Sequence, residues 1–164
     1  MTMKSLAVRR VERDRTSNSF VVTLREEEQP RRTFDMQIGL SEGIAIRMIL
    51  DGEVAPRPLT HDLFVLALER VGITLRHVVI THVTEGTFFA ELVLGPETGE
   101  DVVVSCRPSD ALALALRANA PIYARPDLLE EVGRHPDETQ DSSSEILDEF
   151  KEFIENISPD DFDI

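Results

Sequence analysis

Lysine is nearly absent from this chain: Lys4 and Lys151 are the only ones. A reaction that needs a lysine beside a carboxylate pair, as in many restriction-type nucleases, is therefore excluded, and acid–base work falls to histidine, carboxylates or water. Cysteine is almost as scarce. Cys106 stands alone, so no internal disulfide and no paired CxxC metal site can form, which fits a reducing cytoplasm. No apolar run approaches the roughly 20 residues that span a bilayer, so no membrane partner is expected. The first ten residues carry basic groups but no apolar segment with a small-residue cleavage site, unlike a signal peptide. A Walker phosphate loop and a glycine-rich dinucleotide fingerprint are missing too, and no GxSxG elbow surrounds Ser109.

What is present fits a single domain of ordinary composition: 164 residues, 41% hydrophobic and 29% charged. The net charge of −14 argues against nucleic acid only until its distribution is read. Residues 1–125 hold 17 acidic and 15 basic residues, a balance of −2, while 126–164 hold 14 and 2, a balance of −12. The near-neutral part carries 14 arginines against the single Lys4. Arginine suits bidentate phosphate recognition; a GC-rich coding bias accounts for the same excess.

Segments 6–12, 20–25, 33–38, 75–83, 87–94 and 102–106 are rich in β-branched and aromatic residues and bounded by turn formers, which predicts strands. Thr84-Glu85-Gly86 and the stretch from Gly95 to Gly99 read as hairpin turns. Residues 121–124 add a short edge strand. Helices are expected at 42–50, 62–71 and 110–117, the first capped by Ser41 and stopped near Gly52. These helices are apolar on nearly every side, so each needs cover from more than one direction. A subunit interface supplies such cover, and a homo-oligomer is expected; a helix wrapped by its own sheet is the competing reading. The whole is an α+β domain over residues 1–133, with a largely antiparallel or mixed β-sheet. A linker follows at 134–144, then an acidic amphipathic helix and tail at 145–164, with Ile146, Leu147, Phe150, Phe153, Ile154 and Ile157 at helical spacing.

Two Arg-Pro steps open apolar helices, Arg57-Pro58-Leu59-Thr60-His61-Asp62-Leu63 and Arg107-Pro108-Ser109-Asp110-Ala111-Leu112. Each puts a cation, a hydroxyl and a carboxylate at a helix entrance, where unpaired N–H groups and the dipole favour an anion. The same residues also make ordinary caps, through Thr60, Ser109, Asp62 and Asp110. His61, beside Asp62, can act as a base or bind a metal. His77 and His82 lie five apart on one strand, so regular alternation sends them to opposite faces; His135 falls in the linker. Cys106 reads as a small buried side chain. Glu42, at a third helix start, completes a carboxylate set with Asp62 and Asp110 for a hard divalent cation if the three entrances converge.

At these residues the chain resembles the bifunctional nuclease domain family, whose members are described as cleaving both DNA and RNA. The resemblance rests on the run from Ile38 to Gly43 with Ala45-Ile46, the run from Pro56 to Leu63, and Glu85-Gly86-Thr87-Phe88-Phe89-Ala90. It continues through the run from Arg107 to Ala111, Leu116-Arg117 and Ala120-Pro121-Ile122-Tyr123. Residues 151–153 and 158–162 further resemble the end of actinobacterial members. Gly43, where alanine is common, and Cys106 depart from the pattern. The resemblance implies a self-associating α+β domain and a nuclease acting on DNA or RNA. Fitting chemistry to the candidate residues gives Mg²⁺ or Mn²⁺ on Asp62 and Asp110 with Glu42, phosphate on Arg57 and Arg107, and His61 activating water or protonating the leaving oxygen. The alternative is a non-catalytic oligomeric module that binds a small anion or a protein.

Overall fold

Two three-stranded meanders, zipped together by a three-residue strand, make one seven-stranded sheet. The computed structural model describes residues 2–136. Strands β1 (Lys4–Asp14), β2 (Ser19–Glu26) and β3 (Thr33–Ile38) form the first meander, and β4 (Ile73–Thr84), β5 (Thr87–Pro96) and β6 (Val102–Cys106) the second. Alternation drives the pairing: Phe20, Val22 and Leu24 of β2 turn inward while their neighbours stay half-buried. The β4–β5 turn has Glu85 and Gly86 at φ 49° and 75°, the positive values that a two-residue hairpin matched to strand twist requires.

Residues 121–124, expected as an edge strand, instead supply the centre of the sheet. β7 (Ile122–Ala124) pairs antiparallel with β1 and parallel with β4, giving the order β3-β2-β1-β7-β4-β5-β6. Its Ile122 and Ala124 are buried, so three residues suffice where flanking strands hold both sides. The other predicted strands stand within two residues of their expected ends, and the domain is α+β as its pattern implied.

Four helices complete it: α1 (Leu40–Leu50), α2 (Thr60–Arg70), α3 (Pro108–Ala118) and α4 (Pro126–Val132). α3 packs against α1, α2, β4 and β5 and buries Ala111 through Ala115, as an all-apolar helix must. α2 differs, because none of its residues is buried. The cap assignments of Ser41, Thr60 and Ser109 are corrected as well. The residues before the three helices are Gly39, Leu59 and Arg107, none with a side-chain cap bond; the three hydroxyls lie inside the first turn. α4 was not anticipated, although Arg125-Pro126 opens it in the same way that Arg107-Pro108 opens α3. The linker and acidic helix expected at 134–144 and 145–164 lie outside the described residues beyond 136. Arg134 itself bridges to Thr33 on the outer edge of β3.

A β-carbon on Gly43 would lie 2.2 Å from two ring carbons of Phe20. Phe20 thus fills the space that an alanine needs, which explains the glycine in the middle of α1. Gly43→Ala gains ~1 kcal/mol of helix propensity and incurs overpacking of ~1–3 kcal/mol, so a net loss on the order of 1 kcal/mol is expected. Urea midpoints check it. Adding Phe20→Leu to Gly43→Ala relieves the overlap and recovers part of the loss.

Candidate functional site

Three helix starts meet at one arginine–carboxylate pair. Arg107, immediately after β6, turns its Nε and one terminal nitrogen onto Asp110, at 2.7 Å to Oδ2 and 2.9 Å to Oδ1. Its other terminal nitrogen donates to Oε1 of Glu42 on α1, at 2.9 Å. His61 on α2 closes the cluster with Nε2 at 3.3 Å from Asp110 Oδ1. Burial pushes the Asp110 carboxyl up, but the hydrogen bonds from Arg107 and His61 outweigh it and hold it below the ordinary carboxylate range. An ionised carboxylate only accepts, so the Nε2 of His61 carries a proton, and in the neutral imidazole Nδ1 is the free acceptor. This is the geometry of an oriented base.

Asp62 belongs to a neighbouring cluster. One oxygen accepts the N–H of Leu59 at 2.8 Å, and the other pairs with Nε of Arg117. The Arg117 side chain is 5% exposed, and its remaining nitrogens donate to the carbonyls of Ala113 and Ala45 at 3.1 and 3.2 Å. Arg117 thereby ties α1, α2 and α3 together just behind the site. Burial raises the Asp62 carboxyl while Leu59 and Arg117 lower it, and the lowering wins. Arg57 joins neither cluster: it is exposed and forms no ion pair among the described residues. The structure therefore brings Glu42, His61, Arg107 and Asp110 together, sets Asp62 aside as a helix tie and leaves Arg57 in the loop before α2. Arg117 was missed as a contributor; its signal is a lone charge ending the apolar run of α3.

A cleft of about 270 Å³ opens beside His61 and Asp110, walled by Phe64, Leu92, Val104, Cys106 and Leu114. A groove of about 360 Å³ lies along Glu42, Arg107 and Ser109. A reacting group at Arg107 thus has room on either hand. Burial and then the charge of Asp110 push the Cys106 thiol up to about 11, so it is no nucleophile near neutrality. His77 and His82 pair with Val93 and Phe89, which share a face of β5. A bulge between Ile80 and His82 breaks the alternation that predicted opposite faces. Each ring packs on its own aromatic neighbour, Tyr123 or Phe89.

As placed, the residues do not fit a cation held jointly by Glu42, Asp62 and Asp110. Oxygens of Glu42 and Asp110 face Arg107, those of Asp62 face Leu59 and Arg117, and no group of three or more His, Cys, Asp or Glu could hold a metal among the described residues.

Acid exposes these pairings. Glu26 follows the inward register of β2 and is buried; burial raises its carboxyl, but Arg32, clamped on both oxygens, brings it below its ordinary value. With Asp62 and Asp110 also lowered, each group adds stability that is present above its unfolded value of about 4 and is lost as pH falls through the folded value. Urea midpoints are expected to hold from about pH 7 to 5 and to drop below about pH 4. Asp110→Asn flattens part of that drop.

Comparison with known sequences identifies the family. The model of the bifunctional nuclease domain matches residues 22–137, and the chain belongs to that family. Two Mycobacterium tuberculosis proteins, from strains CDC 1551 / Oshkosh and ATCC 25618 / H37Rv, are each 37% identical over 155 residues. The match covers 91% of this chain and 92% of each relative. Both are described as uncharacterized. No helix of the described residues is long and apolar enough to cross a membrane.

Proposed function

We propose that this chain hydrolyses phosphodiester bonds in RNA or DNA at the cluster of His61, Arg107 and Asp110. The observation that carries this reading is the meeting of three helix starts at the Arg107–Asp110 pair. There a phosphate-binding cation, a carboxylate and a histidine meet beside open space. Arg107, whose side chain is 65% exposed, turns toward the substrate phosphate and neutralises charge that builds on its oxygens. His61, held by Asp110, takes a proton from the attacking water through Nδ1; the water oxygen bonds to phosphorus as the P–O bond to the leaving oxygen breaks, and that oxygen takes a proton from solvent water. Asp62, expected within the catalytic set, is assigned instead to the tie with Arg117 that holds the helices. Mg²⁺ or Mn²⁺ would assist only by displacing Arg107 from its carboxylates. Glu42 and Asp110 are the carboxylates that would hold the ion once Arg107 left them, and no step above depends on it.

Cytoplasmic location and self-association belong to the same proposal. The rival is a non-catalytic module binding an anion or a protein, favoured by the engagement of Glu42, Asp62 and Asp110 with arginines. Cleavage of end-labelled RNA and DNA by the purified chain, with Mg²⁺, Mn²⁺ or EDTA, separates them. Turnover supports the hydrolase, with its loss in EDTA assigning the ion a role. No turnover in any arm overturns it in favour of binding.

A further inference from the structure

The groove of about 360 Å³ along Arg107 holds polar groups that the chemistry above does not use. Ser109, the second residue of α3, lines it and is 7% exposed. Its hydroxyl meets no partner among the described residues. No fully buried side-chain oxygen or nitrogen among them lacks one, so the exposed sliver of Ser109 includes the hydroxyl oxygen, and the groove is where it opens. One donor and the acceptor lone pairs are thus left for a ligand. A second wall is the free edge of β3. Thr33 exchanges both of its backbone bonds with Arg134, so its N–H and C=O point away from β2. β2 and β3 pair without a bulge from Thr33 to Ile38, and the backbone groups of alternate residues point the same way. The N–H and C=O of Gln37, four residues on, therefore face outward as well, beside the groove that Gln37 lines. No backbone bond outside the ladders engages them among the described residues.

These groups select the ligand. Ile38, Phe88 and Pro108 give the groove apolar sides, and the Phe88 ring is backed by Phe34, stacked at 5.8 Å and 18°. Apolar sides, a backbone donor and acceptor together on one wall and a hydroxyl on another match a nucleobase, a flat ring system with donors and acceptors along its edge. A bare phosphate matches poorly, because it offers nothing to the Gln37 carbonyl and meets the carboxylate of Glu42 in the same groove. We propose that the groove seats one unpaired nucleobase of the strand being cut. The Gln37 backbone and the Ser109 hydroxyl bond its edge, and the phosphate of the same nucleotide lies at Arg107. The placing of that phosphate rests on the hydrolase reading; the base site does not. A base seated here has left its stack and its pairing partner, so the strand is read as a single strand.

Nuclear magnetic resonance titrations of the full chain with each of the common ribonucleoside monophosphates, and with ribose phosphate as the probe without a base, test the site in the absence of turnover. At least one nucleotide is expected to bind about tenfold or more tightly than ribose phosphate and to shift the amide signals of Gln37 and Ser109. Ser109→Ala, a change that helix propensity favours, is expected to weaken that nucleotide about three- to tenfold and to leave ribose phosphate unaffected. No nucleotide bound better than ribose phosphate, or equal weakening of both by Ser109→Ala, overturns the proposal; the wild-type comparison stands without the variant. Cleavage of single strands carrying one abasic residue separates this from the hydrolase reading. The cut on one side of that residue is expected to slow about tenfold or more. Undiminished cuts on both sides overturn the base site and leave the hydrolase standing, whereas nucleotide binding by a chain that cuts nothing does the reverse.

Discussion

A His61→Ala chain is expected to cleave nucleic acid at least about a hundredfold more slowly than the wild type, the contribution of a positioned general base, while unfolding at nearly the same temperature. The two readouts separate because of how Asp110 is held. Arg107 grips both of its oxygens at 2.7 and 2.9 Å, whereas His61 approaches only one, at 3.3 Å. Removing the imidazole therefore leaves the carboxylate paired and the helix starts in place. It also leaves a void open to the adjoining cleft, so added imidazole should restore part of the lost rate. Initial rates with and without imidazole, beside thermal melts, check this. A parallel fall in rate and melting temperature would assign His61 a structural role.

Arg117→Ala is expected to produce the largest loss of stability, about 3 kcal/mol, because this buried guanidinium serves the part-exposed Asp62 and two helix carbonyls at once. That corresponds to roughly a 10 °C fall in melting temperature. Three groups lose their partner at once: Asp62, whose charge is then uncompensated, and the carbonyls of Ala45 and Ala113. Each belongs to a different helix, so the cost falls on the packing of α1, α2 and α3 rather than on any one of them. Arg117→Lys keeps the charge without the planar fork and should recover only a part. A shift in denaturation midpoint under about 1 kcal/mol would show that the tie is replaced by water.

Much of this was written in local pattern. The alternation of Phe20, Val22 and Leu24 marks a half-buried strand, Glu85-Gly86 marks its kind of turn, and β3 and β6 run over the expected residues. β7 was misplaced because three residues carry no sign of which strands will flank them. The bulge in β4 likewise cannot be read from a run of valines, so His77 and His82, expected on opposite faces, share one. For the site, residue types were legible and partnerships were not. Arg107, Asp110, Glu42 and His61 are drawn together across separations of up to 65 positions by the packing of apolar helices around α3. The same packing gives Asp62 to Arg117 instead of to Asp110, although the two Arg-Pro stretches look alike in sequence. Arg57 differs from Arg107 because α2 starts at Thr60, two residues beyond Pro58, while α3 starts at Pro108 itself.

In the proposed hydrolysis Asp110 works with His61 on the substrate while Asp62 holds the helices. Initial cleavage rates of Asp110→Asn and Asp62→Asn, taken side by side at a temperature where circular dichroism shows both folded, test it most directly. A rate lower by about a hundredfold or more is expected for Asp110→Asn, with Asp62→Asn close to the wild type but melting earlier. Equal losses of rate in both would contradict it and point to the two carboxylates acting as one pair.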